Sequence, residues 1–113
     1  MDLLLWIWRD MSKHKVLVAD PIADAGIEEL QADHDLDVDV RIGIKEDELL
    51  KDASLYEAII VRSQTKITTQ VIESADNLKI VGRAGVGVDN IAIPTATTNG
   101  VIVMNTPAGN TIS

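Results

Sequence analysis

The stretch Val81-Gly82-Arg83-Ala84-Gly85-Val86-Gly87-Val88-Asp89-Asn90 sets three glycines around one arginine directly after an apolar run. Glycines leave backbone N–H groups without side-chain cover, and concave runs of such amides hold carboxylate or phosphate oxygens. A guanidinium beside them adds a planar fork of donors. The chemistry offered is capture of a small anion, with a tight turn that binds nothing as the competing reading. A dinucleotide loop is a poorer fit, since it needs Gly-x-Gly-x-x-Gly opening a helix and an acid about 20 residues later. Here Asn90 stands where the third glycine should, and no Asp or Glu follows Asp89.

A second donor-rich stretch, Arg62-Ser63-Gln64-Thr65-Lys66, also follows an apolar run. Arg62, Lys66 and Arg83 are the cations best placed to meet an anion, and charge distribution sharpens the point. Residues 1–57 carry 6 Lys and Arg against 15 Asp and Glu, a balance of −9, while residues 58–113 carry 4 against 3, a balance of +1. An acidic first half argues against nucleic acid or an anionic membrane as partner, because both need a contiguous basic surface. The absence of cysteine excludes a disulfide framework and a thiolate metal site, and agrees with a reducing, cytoplasmic setting. His14 and His34 lie in polar surroundings with no second ligand at metal spacing, so both read as surface residues and no metal site is expected.

The elements that must position these groups follow from the apolar pattern. From Lys15 onward short apolar runs alternate with amphipathic stretches, the signature of βαβ units on a parallel sheet. Five strands are expected, over Lys15–Ala19, Leu36–Arg41, Ala58–Val61, Lys79–Arg83 and Val101–Met104. Between them Ala23, Ile27 and Leu30, then Leu49, Ala53 and Tyr56, and finally Thr68, Val71, Ile72 and Ala75 recur at helical spacing. Asp20-Pro21 and Thr68 read as helix caps, and Pro94 confines a fourth helix to about Thr95–Asn99 with Gly100 ending it. Right-handed crossovers then predict an α/β fold, a flavodoxin-like doubly wound sheet of order 2-1-3-4-5. Ligands bind such sheets at the strand carboxyl ends, which would place Arg62, Arg83 and the Gly85-Val86-Gly87 amides along one edge.

That edge excludes other tenants of the architecture. A phosphate-accepting receiver needs an Asp after strand three and a Lys after strand five, where this chain has Arg62 and Asn105. A flavin-phosphate loop wants a Ser/Thr-rich turn after strand one, where Asp20-Pro21-Ile22 stands. No Ser-His-Asp set, paired-carboxylate cleft or redox cysteine is available either.

Three ordered segments carry a family resemblance: Val61-Arg62-Ser63-Gln64-Thr65-Lys66-Ile67-Thr68, then 81–91, then Gly100-Val101 through Val103-Met104-Asn105-Thr106-Pro107, with Gly109-Asn110-Thr111-Ile112-Ser113 closing the match. From about Lys15 the chain resembles the D-isomer-specific 2-hydroxyacid dehydrogenases, and most closely their branch acting on 3-phosphoglycerate in serine biosynthesis. The resemblance implies a partial substrate-binding domain over 13–113, one flavodoxin-like lobe of an NAD-dependent, homo-oligomeric enzyme. A reductase acting on glyoxylate or hydroxypyruvate is the nearest rival, and an isolated small-anion or protein-binding module the third reading.

By the same resemblance Arg62, Ser63, Arg83, Val86, Gly87 and Asn110 contact the anionic substrate, with the amides of Val86 and Gly87 cradling its carboxylate. Val86 also lies against the nicotinamide. The family's catalytic His, Glu and Arg and its nucleotide-binding domain are expected in segments absent from this sequence, so no catalytic residue is assigned and the chain is expected to be an inactive fragment. Two positions depart from the family pattern: Ala92 replaces a capping Asp, and Ala108 a glycine. Residues 1–12 read as an extension outside the family, disordered or appended, with an extra strand or sticky patch as the alternative. Their apolar run Leu3–Trp8 contains both tryptophans and is too short for a signal-peptide core or a membrane span.

Overall fold

Val16-Leu17-Val18-Ala19 are four apolar residues in a row, and all four are buried. Continuous burial of this kind marks a parallel strand covered on both faces. In the computed structural model, which describes residues 13–85, 87 and 89–106, this strand is the second member of a five-stranded sheet. The elements run β1 (His14–Val18), α1 (Asp24–Ala32), β2 (Leu36–Val40), α2 (Glu46–Asp52), β3 (Ala58–Val61), α3 (Thr69–Ser74), β4 (Ile80–Ala84), α4 (Ile93–Thr98) and β5 (Ile102–Thr106). Their order is β2-β1-β3-β4-β5, with every paired neighbour parallel. The expected fold is thus the observed one. None of the described helices is long and apolar enough to cross a membrane.

Alternation along the strands sorts side chains to two faces. Leu17, Ile59, Val61, Val81 and Val101 share one core with Leu49, Ala53, Val71, Ile72 and Ala96 from the helical layer. Within that layer α2 touches α3, and α3 touches α4. The opposite face buries Val16 and Val18, while α1 packs beside β2. Edge strand β2 reads Leu-Asp-Val-Asp-Val, and its two aspartates guard it against pairing with other chains.

The helix ends follow local chemistry. Thr68 caps α3 as expected, its Oγ1 accepting from the Val71 amide at 3.2 Å. At the end of α4, Gly100 takes φ +73° while its N–H bonds the Thr97 carbonyl and the Val101 N–H bonds the Ala96 carbonyl. This is a Schellman closure, and Val101 and Ala96 supply its buried apolar contact. Pro94 falls in the first turn of α4, whose N-cap Ala92 makes no side-chain bond. One expectation fails: Asp20-Pro21 caps no helix, because α1 starts at Asp24 after Ala23. The stripe Leu49, Ala53, Tyr56 is buried as expected, although helix gives way to a 3-10 turn over Ala53–Leu55.

Tyr56 ties that turn to the sheet. Its hydroxyl donates to Asp39 at 2.8 Å, and the Arg41 guanidinium donates to Asp52 at 2.9 Å and to the tyrosine oxygen at 3.4 Å. Burial is the main reason the phenol pKa is pushed above its ordinary 10.0; the bond to Asp39 adds to the rise and Arg41 opposes it. A raised folded-state value means this group's stability contribution is intact below the unfolded pKa and is lost as pH climbs through the folded one.

Stability should therefore decline on the alkaline side of pH 10.0. Tyr56→Phe should flatten that decline while costing about 1 kcal/mol at neutral pH for the lost hydrogen bond. Denaturant melts across the alkaline range check both effects, and absorbance titration of the chain's single tyrosine checks the raised pKa. At Gly100, alanine should cost about 1–2 kcal/mol, the penalty of a left-handed L-residue, in the same melts.

Candidate functional site

Asp20 lies two residues past the end of β1 and is fully buried. Its Oδ2 accepts the backbone N–H groups of Arg62, Gln64 and Thr65 at 2.8, 3.2 and 2.9 Å, and its Oδ1 accepts the Thr65 hydroxyl at 2.5 Å. A buried polar group is costly unless hydrogen-bonded, and here four donors satisfy one carboxylate. The result is a loop, residues 62–66, curled around the end of β1 with the amides of Arg62, Gln64 and Thr65 and the Thr65 hydroxyl turned inward, and the side chains of Arg62, Ser63, Gln64 and Lys66 left exposed.

The outer side of that loop is held from β4 and from the turn that follows it. Asn90 Nδ2 donates to the carbonyls of Arg62 and Thr65 at 2.6 and 2.7 Å, which also fixes how the amide is turned. The Ile67 N–H bonds the Asn90 carbonyl, and the Ala92 N–H bonds the Ile67 carbonyl, forming a parallel bridge between Ile67 and Ile91. Asn90 Oδ1 is buried with no hydrogen-bond partner among the described residues. Arg83, on β4, reaches both turns: Nε donates to the Arg62 carbonyl at 3.2 Å, and a terminal nitrogen donates to the Gly87 carbonyl at 2.6 Å.

Gly85 and Gly87 take φ +136° and +87°. A Cβ at either would meet Arg83 only at ordinary contact distances of 3.8 and 3.7 Å. Glycine is demanded there by the backbone dihedral and not by lack of space. The turn leaving β4 is therefore wrapped on the Arg83 guanidinium, so this residue organises the glycine loop as well as neighbouring it.

The residues expected to act together are in part brought together. Arg62 and Ser63 are exposed at the carboxyl end of β3, beside the Arg83-bound glycine turn leaving β4. Among the described residues the Arg62 side chain makes one long contact, 3.5 Å to the Pro21 carbonyl, and the residue is exposed. Lys66 is placed elsewhere. It lines a cleft of about 350 Å³ with Asp20, Gly43, Ile44, Gln64 and Thr65, to which neither Arg62 nor Arg83 contributes. Val86 and Asn110 lie outside the described residues, as does the closing segment 107–113.

Sequence reasoning missed the frame. Asp20 was read as a cap because Asp-Pro favours that reading, whereas its partners lie up to 45 residues away. The available signal was an acid ending a fully apolar strand, where a carboxylate has no solvent and needs donors. Asn90 had no comparable signal.

Comparison with known proteins places these features in a family context. A family model described as "D-isomer specific 2-hydroxyacid dehydrogenase, catalytic domain" matches residues 16–113. D-3-phosphoglycerate dehydrogenase of Archaeoglobus fulgidus is 54% identical over 99 residues, covering 88% of this chain and 19% of that protein. The chain thus spans about a fifth of the length of the curated relatives it matches. Among solved structures, the PH0520 protein of Pyrococcus horikoshii superposes with TM-score 0.78 at 32% identity, covering 83% of this chain and 28% of that one. NAD+-bound 3-phosphoglycerate dehydrogenase of Entamoeba histolytica superposes with TM-score 0.74 at 29% identity, covering 84% and 33%.

Removing the Asp20 carboxylate leaves three backbone N–H groups and a hydroxyl without their acceptor. Asp20→Ala should lower stability by about 3 kcal/mol or more, at about 1–3 kcal/mol for each buried group left unmet. Hydrogen exchange should show the loss concentrated at the amides of Arg62, Gln64 and Thr65. Unchanged protection there would refute the framing role.

Proposed function

The chain belongs to the D-isomer specific 2-hydroxyacid dehydrogenases, and on that premise we propose that it is the substrate-binding lobe of an NAD-dependent D-3-phosphoglycerate dehydrogenase. The observation that carries the reading is the Arg62-Ser63 turn, held by Asp20 and Asn90 beside the glycine turn at the carboxyl edge of the sheet. An exposed guanidinium fork, a hydroxyl and a glycine turn suit a substrate with a carboxylate at one end and a phosphate at the other. The choice of 3-phosphoglycerate among 2-hydroxy acids is supported by the Archaeoglobus relative, which carries that enzyme's name.

In this reading each residue has a distinct task. The amides of Val86 and Gly87 cradle the carboxylate, while Arg62 and Ser63 bind the remaining polar groups of the substrate, and Asn110 adds a contact. Arg83 is a positioning residue, because its donors hold the carbonyls of Arg62 and Gly87 and so fix the distance between the two turns. No proton-transfer role is assigned to these residues.

The described residues do not form a cradle for NAD. Only Gly85 and Gly87 of a dinucleotide motif are present, the turn leads into the six-residue helix α4 without a side-chain cap, and no acid follows Asp89. NAD, which supplies hydride acceptance when bound, belongs in this proposal to a second lobe of a cytoplasmic, homo-oligomeric full-length enzyme, with Val86 as this lobe's contact. Hydride transfer by this chain alone is not expected.

Steady-state assays of the full-length enzyme provide the test. NADH should form from 3-phosphoglycerate, and its absence would overturn the assignment. Arg62→Ala should lower kcat/KM by about 10- to 100-fold, the equivalent of a charged hydrogen bond of about 1.5–3 kcal/mol. Arg62→Lys should recover only part, since an ammonium restores the charge without the bidentate fork.

A further inference from the structure

Two opposite charges share one cleft of this lobe without meeting. In the cleft of about 350 Å³ the β2–α2 connection supplies Gly43 and Ile44, helix α2 supplies Glu46 and Leu49, and the β3–α3 connection supplies Gln64, Thr65, Lys66 and Thr68. Among the described residues neither Glu46 nor Lys66 enters an ion pair, and both are exposed. Asp20 also lines the cleft, but its oxygens already accept four donors. Leu49 is buried and Ile44 half-buried against the core, which gives the cleft an apolar part. Both walls are held by bonds of their own. On one side the N–H groups of Gly43 and Ile44 bond the carbonyls of Ala19 and Arg41 at 3.1 and 3.2 Å; on the other, Asp20 holds Gln64 and Thr65 while the Thr68 hydroxyl accepts from Val71. A Cβ at Gly43 would meet nothing within 4 Å, so the wall is open there. An apolar surface with a few fixed polar groups is the usual form of a small-molecule site.

We infer that this cleft binds a small zwitterionic amino acid with an apolar side chain. Its ammonium pairs with Glu46, its carboxylate with Lys66, and its side chain rests on Ile44 and Leu49. The signs of the charges select this class. A simple carboxylate or phosphate would gain Lys66 but face Glu46 and the charge of Asp20, and a simple amine would gain Glu46 but face Lys66. A ligand carrying both signs satisfies both side chains and repels neither. The volume sets the size, since a single amino acid fits about 350 Å³ where a peptide does not. The inference does not rest on the enzymatic reading, because Arg62, Ser63 and Arg83 contribute nothing to the cleft wall.

Titration of the 113-residue chain with L-valine, followed by amide chemical shifts, tests the inference. Saturable shifts are expected at Gly43, Ile44, Glu46, Gln64 and Lys66. Isovalerate is the same molecule without the ammonium, and isobutylamine the same without the carboxylate. Each should bind about tenfold more weakly or worse, for want of one charge-assisted hydrogen bond. Lys66→Met should remove the advantage of valine over isobutylamine, and Glu46→Gln its advantage over isovalerate. Both side chains are exposed, so the spectrum of the folded chain should survive either change. Valine shifts that fail to saturate, or that fall outside the cleft, would overturn the inference. So would isovalerate or isobutylamine binding as tightly as valine, which would make this a site for one charge, or a valine affinity indifferent to both substitutions. If a variant fails to fold, the three probes on the parent chain decide the matter by themselves.

Discussion

One buried carboxylate governs the carboxyl edge of this sheet. Asp20 stands two residues beyond β1, the four residues before it are all buried and it is itself fully buried, so its side chain must find donors within the fold. The β3–α3 loop supplies them, three from its backbone and one from Thr65. Once those bonds form, the loop's carbonyls point away from Asp20, and Asn90 and Arg83 are the groups that meet them. Three successive strand ends, β1, β3 and β4, are thereby joined by side-chain bonds above the same apolar core. The ordering of the loops is achieved during folding, which reduces what a ligand must contribute on binding.

The frame also resolves an electrostatic oddity. An acid directly beneath a turn proposed to receive anions would repel them if its charge were unmatched. Asp20 is enclosed by N–H and O–H dipoles, and those amides are drawn inward while the Arg62 guanidinium projects outward. The cations are divided in the same way. Arg83 is committed to backbone carbonyls and sets the spacing of two turns, Lys66 faces a separate cleft between the β2–α2 and β3–α3 connections, and Arg62 extends to solvent. Counting positive charges near a strand end would treat all three alike; their hydrogen-bond partners separate them.

How far the sequence could be read depended on the range of the forces involved. Strand positions were legible within two residues because parallel, doubly covered strands leave unbroken apolar runs such as Val16–Ala19 and Ala58–Val61. Local signals held too: Thr68 caps its helix, and Gly100 ends α4. Asp20 was misread because its local signal, an acid before proline, is that of a cap, while the interaction that claims it closes over more than 40 residues. Lys66 was grouped with Arg62 because four residues of loop look like one patch in a sequence. Only the curl imposed by Asp20 sends them to different surfaces. Family resemblance supplied the roles of Val86 and Asn110, which lie outside the described residues.

Strand β4 is where the two faces of this sheet are tied to different surroundings. Val81 and Arg83 point to the helical side, where Val81 is fully buried and Arg83, at the strand end, bends over the core to reach Arg62 and Gly87. Ile80 and Gly82 point the other way, in register with Ile102 and Met104 of β5. Alternation with period two keeps the two sets apart, so the Ile80 side chain stands clear of the donors that organise the turn. The coupling that remains is through register. A slip of β4 by one residue would exchange its faces, carrying Arg83 away from the carbonyls it holds and Ile80 into the helical core. The pairings Ile59 with Val81 and Val61 with Arg83 are thus a condition for the glycine turn's geometry, and the buried residues that fix them belong to the site as much as the arginine does.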